Sequence, residues 1–169
     1  EYYESRGNRS ASADGSTLVY SDNTHLYIVE DGVQKEILSS AVGTISVPII
    51  SGDGQDIFYI LIKSINDTGS LEYWRIKSDG TQNKKIVKSE QPLFTLMPQY
   101  WSADKTNVYL TATCECDGNP EGMSRMSVST GKITDLKIKS IYAGGTGSTR
   151  IDSNPAHTKS AYITNTFKQ

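Results

Sequence analysis

A four-residue signature recurs along the chain at near-regular spacing and constrains the fold more than any other feature. Ser12-Ala13-Asp14-Gly15 returns as Ser51-Gly52-Asp53-Gly54 and as Ser102-Ala103-Asp104-Lys105. A degenerate fourth copy reads Ser153-Asn154-Pro155-Ala156. The leading serines Ser12, Ser51, Ser102 and Ser153 stand 39, 51 and 51 residues apart. Between these marks helical periodicity is nearly absent. Short apolar runs alternate with turn signals: 17–20, a polar turn at 21–24, 25–29, Asp31-Gly32, then 33–38. β-Branched and aromatic runs joined by Asp-Gly or Asn-containing turns predict antiparallel hairpins, because those turn residues tolerate positive φ. The same order returns at 57–62, 71–76 and 85–87, and again at 108–113, 123–128 and 132–136. Each copy is three hairpin-linked strands preceded by one further short strand. Four strands per unit at a period of about 40 to 50 residues is the signature of β-propeller blades.

The signature has a local physical role. An Asp carboxylate accepts backbone N–H bonds across a tight turn, the Gly supplies positive φ, and the Ser adds a second local bond. Ser12, Asp14, Gly15, Ser51, Asp53, Gly54, Ser102 and Asp104 therefore read as structural turn residues rather than catalytic ones. A sialidase-type Ser-x-Asp-x-Gly-x-x-Trp box does not fit, since Gly15 and Gly54 directly follow Asp and no Trp stands at the required distance.

Other chemistry finds little footing. Seventeen basic residues against nineteen acidic ones give a net charge of −2, with no electrostatic case for nucleic acid or an anionic membrane. No apolar run approaches twenty residues, so no membrane span is expected. Residues 144–149 are Gly-rich but lack the Lys of a P-loop and a following helical pattern. No Gly-x-Ser-x-Gly elbow is present, and neither His25 nor His157 has a nucleophile and carboxylate at recognisable spacing. Cys114 and Cys116 are too few for a disulfide scaffold, and a metal site would need two further ligands. The expectation is no cofactor, no metal and no catalytic residue. Paired carboxylates converging in space remain open as a glycoside-cleaving arrangement. Asn8 and Asn66 head short glycosylation-type patterns that chance explains.

The aromatic residues and one loop are the candidates for contact. Tyr73-Trp74 and Tyr100-Trp101 place adjacent rings on opposite faces of a strand, so one of each pair is expected in the core and the other is free to meet a partner. Trp74 and Trp101 are the candidates from those pairs. Glu115, Asp117 and Asn119 are the candidates from the long hydrophilic insertion at 114–122.

These residues resemble the TolB-like β-propeller family, whose repeats carry a Pro-x-x-Ser-x-Asp-Gly turn between the first two strands of each blade. Pro48-Ile49-Ile50-Ser51-Gly52-Asp53-Gly54 matches it, and the stretch 98–105 matches with one added residue and an aromatic before Ser102. The first copy lacks the Pro and the fourth lacks Asp-Gly. The resemblance implies an all-β fold of about three complete blades plus two strands of a fourth, one partial propeller domain over 1–169 with repeats starting near 12, 51, 102 and 153. It also implies an extracytoplasmic setting, periplasmic or secreted, and a non-catalytic scaffold that binds a protein or an envelope component. Two alternatives stand beside it: the gating propeller of a prolyl oligopeptidase-like serine peptidase, and a carbohydrate-binding propeller. A propeller closes with about four to eight blades. The length therefore implies a piece of a longer protein, or blades supplied by the same or another chain, and an opening Glu1-Tyr2-Tyr3-Glu4 with no initiator Met implies either a removed targeting segment or a piece of something longer.

Overall fold

The structure is a computed structural model and describes residues 8–65, 68–89, 95–113, 122–139, 151–153 and 160–162. Among the described residues every regular element is a strand. β1 (Arg9–Ala11), β2 (Thr17–Ser21), β3 (His25–Glu30) and β4 (Val33–Ser39) form one antiparallel sheet in that order. β5 (Thr44–Ile50), β6 (Asp56–Ile65), β7 (Thr68–Lys77) and β8 (Lys84–Ser89) form the second. β9 (Thr95–Trp101), β10 (Asn107–Thr113), β11 (Gly122–Ser127) and β12 (Ile133–Lys139) form the third. β13 (Ile151–Ser153) and β14 (Ser160–Tyr162) pair as the start of a fourth. The expected blades are thus present, with β6 and β7 reaching further than their apolar runs suggest.

Blades stack face to face because each sheet alternates its side chains between two neighbours. In blade 2, Ile57, Tyr59 and Leu61 point to blade 1 and join Val19, Leu26 and Ile28 in one buried cluster. Phe58 and Ile60 point the other way and join Trp101, Val108, Leu110 and Met126. This double burial explains why β6 reads as a continuous apolar run rather than an alternating one. The core therefore lies between sheets and not within one. The first strands touch in series, β1 against β5 and β5 against β9, which makes them the inner strands around the propeller axis.

Inner strands present a free edge, and both complete examples blunt it. Pro48 in β5 and Pro98 in β9 sit beside register shifts, where an extra residue interrupts pairing with the next strand. At the β5 irregularity Val47 adopts φ of 48°, a conformation that a β-branched side chain rarely takes.

Candidate binding rim

Antiparallel strands send alternate connections to opposite ends of the stack, which gives the molecule two rims of different chemistry. One rim carries the signature turns and the β3–β4, β7–β8 and β11–β12 connections. At the other stand the β2–β3 turn, the β4–β5 link and the facing ends of β6 and β7 and of β10 and β11.

The signature rim repeats one hydrogen-bond pattern three times. Ser12, Ser51 and Ser102 each donate Oγ–H to the Asp two residues on, at 2.6, 2.7 and 2.6 Å. The same Oγ accepts the N–H of Thr17, Asp56 and Asn107, at 3.0, 2.9 and 3.0 Å. The Asp carboxylates accept the N–H of Ser16, Gln55 and Thr106. Gly15, Gly54 and Lys105 close each turn at φ of 74°, 73° and 58°. All eight predicted turn residues lie within these three turns.

A Cβ on Gly15 would meet nothing within 4 Å, so Gly15→Ala isolates the cost of the backbone conformation. It is expected to lower unfolding free energy by about 1 kcal/mol, read from urea denaturation. No change would mean that the turn relaxes to negative φ.

These local bonds also tune the acids. The Ser12 hydroxyl and the Ser16 N–H hold Asp14 down at about 2, below its ordinary 3.8. Burial pushes Asp53 up, but Lys105 and the Ser51 hydroxyl outweigh it and hold Asp53 at about 2 as well. An acid with a folded pKa below its unfolded one stabilises the fold above the unfolded value. That contribution is lost as the pH falls through the folded value. Stability is expected to decline from about pH 4 to pH 2, and Asp14→Asn should flatten part of that decline in urea titrations at stepped pH.

Between blades 2 and 3 the same rim holds an ion cluster. The Asp56 side chain is fully buried, and its Oδ1 takes Arg75 at 2.7 Å and Lys77 at 2.8 Å, while Oδ2 faces Lys105 at 3.1 Å. Lys105 also reaches Asp53 of the neighbouring signature turn at 2.7 Å. Burial pushes Asp56 up, yet the bonds from Lys77, Arg75 and Lys105 leave it below the usual carboxylate range. Lys105, pulled up mainly by Asp53, stays protonated. A second nearly buried acid, Glu72, pairs with Lys63 at 3.1 Å and Lys85 at 3.4 Å and accepts Trp74 Nε1–H at 3.0 Å. Both buried acids are therefore committed within the fold.

The opposite rim holds a polar cluster absent from the sequence-based candidates. Asp22 accepts the N–H groups of Thr24 and His25 and the Tyr27 hydroxyl, and its carboxylate stands 3.2 Å from His25 Nδ1. The His25 N–H, opposed by partial burial and joined by Thr24, holds Asp22 at about 2. Its sequence signal is Asp-x-Thr, the acceptor–hydroxyl spacing also seen in Asp104-Lys105-Thr106 and Asp79-Gly80-Thr81.

Of the aromatic candidates, Trp101 is corrected. It is 0% exposed between blades 2 and 3, edge-on to Phe58, and donates Nε1–H to the Ile49 carbonyl at 3.2 Å. Its companion Tyr100 is buried too, against the expectation of one exposed ring per pair. Trp74 is half-buried over Tyr59, while Tyr73 is in the core. Glu115, Asp117 and Asn119 lie outside the described residues, as do Cys114, Cys116, His157 and the stretch 144–149. The strand ends that flank 114–121 stand at the same rim as the Asp22 cluster. Among the described residues, no three His, Cys, Asp or Glu side chains gather as a metal site.

Three face-to-face antiparallel blades with inner strands in series define this chain as part of a β-propeller. Among solved structures it is similar to TolB from Acinetobacter baumannii, with a TM-score of 0.61 and 15% identity over 94% of this chain and 37% of that one. It is similar also to a chain of the nidogen/laminin complex, with a TM-score of 0.59 and 12% identity over 92% of this chain and 55% of that one. The acylaminoacyl peptidase of Pyrococcus horikoshii matches with a TM-score of 0.54 and 12% identity, over 82% of this chain and 26% of that one. The fold is that of TolB-like propeller blades. At these identities the likeness is one of fold alone. The chain spans from about a quarter to about half of the length of these proteins. No family model matches the chain, and no curated protein matches it in sequence.

Proposed function

We propose that the chain is a run of blades from a non-catalytic β-propeller scaffold, working outside the cytoplasm, that binds a protein through the rim opposite the signature turns. The observation that carries this reading is the contrast between the rims. The signature rim spends its polar groups on one repeated internal pattern and on the Asp56 cluster. The opposite rim carries the exposed Asp22–His25 cluster, and the segments that join its strand ends differ in sequence and length from blade to blade; loops on a rigid scaffold are where binding residues concentrate. The extracytoplasmic setting is supported by the likeness to TolB, and protein binding by the likeness to a chain of the nidogen/laminin complex.

Site-specific photo-crosslinking tests it. A crosslinker at Asn23 or Ala41, on the opposite rim, is expected to capture a discrete protein in producing cells. A crosslinker at Ser16 or Thr130, on the signature rim, is expected to capture none. Equal capture from both rims would overturn the assignment.

The likeness to an acylaminoacyl peptidase favours one second reading, a gating propeller attached to a hydrolase domain. A fluorophosphonate probe that labels the natural polypeptide would decide for it.

A further inference from the structure

Among the described residues the dipeptide Asp-Gly occurs at Asp14-Gly15, Asp31-Gly32, Asp53-Gly54 and Asp79-Gly80. A further pair, Asp117-Gly118, lies outside them. Asp-Gly is the least hindered aspartyl linkage, because glycine has no side chain to shield its amide nitrogen from the preceding carboxyl group. Attack of that nitrogen on the aspartate Cγ closes a five-membered succinimide. The reaction asks two things of the fold: a carboxyl group free to turn and an amide N–H free to lose its proton.

Three of the four pairs deny both. The Asp14 carboxylate accepts the Ser12 and Ser16 hydroxyls at 2.6 and 2.8 Å and the Ser16 N–H at 3.0 Å. The Gly15 N–H is donated to the Ser12 carbonyl at 3.0 Å. Asp53 holds the Ser51 hydroxyl, the Gln55 N–H and the Lys105 ammonium, while the Gly54 N–H goes to the Ser51 carbonyl at 2.9 Å. Asp79 accepts the Thr81 hydroxyl and N–H at 2.6 and 2.8 Å, and the Gly80 N–H goes to the Lys77 carbonyl at 2.9 Å. All three carboxyls also lie below their ordinary range, so they spend less time in the neutral form that reacts.

Asp31-Gly32 is built otherwise. It is the two-residue tip of the β3–β4 hairpin, closed by the Glu30–Val33 pair, with φ of 50° and 75°. Among the described residues no group donates to the Asp31 carboxylate and none accepts the Gly32 N–H. Both residues are exposed, and a Cβ on Gly32 would meet nothing within 4 Å. Exposure and space do not set this pair apart, since Asp14 and Gly15 are exposed as well and Gly15 is equally open. The missing hydrogen bonds do.

We infer that Asp31-Gly32 is a site of spontaneous isoaspartate formation, and that local hydrogen bonds shield the other three pairs from the same reaction. The Gly32 nitrogen bonds to Asp31 Cγ, and the carboxyl hydroxyl leaves with the amide proton as water. Water then reopens the ring. Cleavage of the new bond to Cγ restores aspartate. Cleavage of the bond between nitrogen and the former main-chain carbonyl leaves the chain running through Cγ. Nothing is oxidised, and the mass is unchanged once water has been lost and regained. The product keeps its negative charge and lengthens the hairpin tip by one backbone atom. This chemistry depends on the turns and on no partner, so it stands or falls apart from the binding reading above.

The test ages the purified full chain at mildly acidic pH in native buffer and, in parallel, in urea. A protein L-isoaspartyl methyltransferase with labelled S-adenosylmethionine counts isoaspartate, and electron-transfer mass spectrometry assigns each position. In native buffer Asp31 is expected to convert at least about tenfold faster than Asp14, Asp53 or Asp79, the factor set by one retained hydrogen bond to a carboxylate. In urea the four rates should converge. Ser12→Ala with Ser16→Ala should raise conversion at Asp14 and leave Asp53 and Asp79 slow. Equal native rates at Asp31 and Asp14 overturn the inference, and so does an Asp31 that reacts in urea but not in the folded chain. An Asp14 that stays inert without both hydroxyls overturns the shielding role of the bonds.

Discussion

Replacing Asp56 with alanine is expected to lower unfolding free energy by about 3 kcal/mol, the lower end of the range for deleting one partner of a buried ion pair. The carboxylate is fully buried and holds Arg75, Lys77 and Lys105 within 3.1 Å. Without it, three cations converge on a cavity with Asp53 as their remaining acid. Each cation retains some contact with water, which keeps the cost from rising further. Lys105→Met removes one partly exposed cation and leaves two, so it should cost under about 1 kcal/mol. Urea unfolding of both variants at neutral pH measures the difference. If Asp56→Ala cost no more than Lys105→Met, the cluster would be a surface feature without structural weight.

Trp101→Ala should cost about 3 to 5 kcal/mol, the range for truncating a large buried aromatic side chain. Trp101 fills the interface between blades 2 and 3, edge-on to Phe58 with ring centroids 6.2 Å apart. The Arg75 guanidinium, fixed by Asp56, stands 6.0 Å above its ring. Truncation empties the space and leaves the buried Ile49 carbonyl without its donor. Hydrogen exchange should localise the damage to β5, β6, β9 and β10 and spare the blade 1–2 interface, which shares none of these contacts. Trp74→Phe gives a comparison at a half-buried ring; it removes the Nε1–H bond to Glu72, whose lysine partners remain, and should cost about 1.5 to 3 kcal/mol, the range for a hydrogen bond to a charged group. Uniform loss of protection across all three blades would show instead that they unfold as one unit.

The blades were legible because their signals are local. A Ser-x-Asp-Gly turn is satisfied within six residues, from Ser12 to Thr17, and its hydrogen bonds need no distant partner. Hairpin turns and alternating runs are equally self-contained. Asp56 was not legible, since its guanidinium partner lies 19 residues away on β7 and Lys105 comes from another blade. No pattern in the neighbourhood of Asp56 announces either partner. Lys105 gave the one hint, as a Lys where two other copies have Gly. Trp101 was half legible. The sequence allowed one ring of Tyr100-Trp101 to face out; the two rings do alternate, Trp101 beside Val108 and Tyr100 beside Tyr109, but Tyr100 is buried on its own face by stacking on Tyr109 and by Met123.

The two inter-blade joints differ in a way that governs which blade can follow which. At the first joint a glycine, Gly54, lies flat on Thr17. At the second, Lys105 occupies the same turn position and spans to Asp53 and Asp56. A lysine-bearing blade set against blade 1 would find Asp14 at the position of Asp53 but Thr17 in place of the buried Asp56. A glycine-bearing blade set against blade 2 would strip Asp56 of one of its three counter-charges. The joints act as keyed couplings, so blade order is enforced by mismatch as well as by connectivity. A gene with blades 1 and 2 transposed would preserve every hairpin and still assemble poorly.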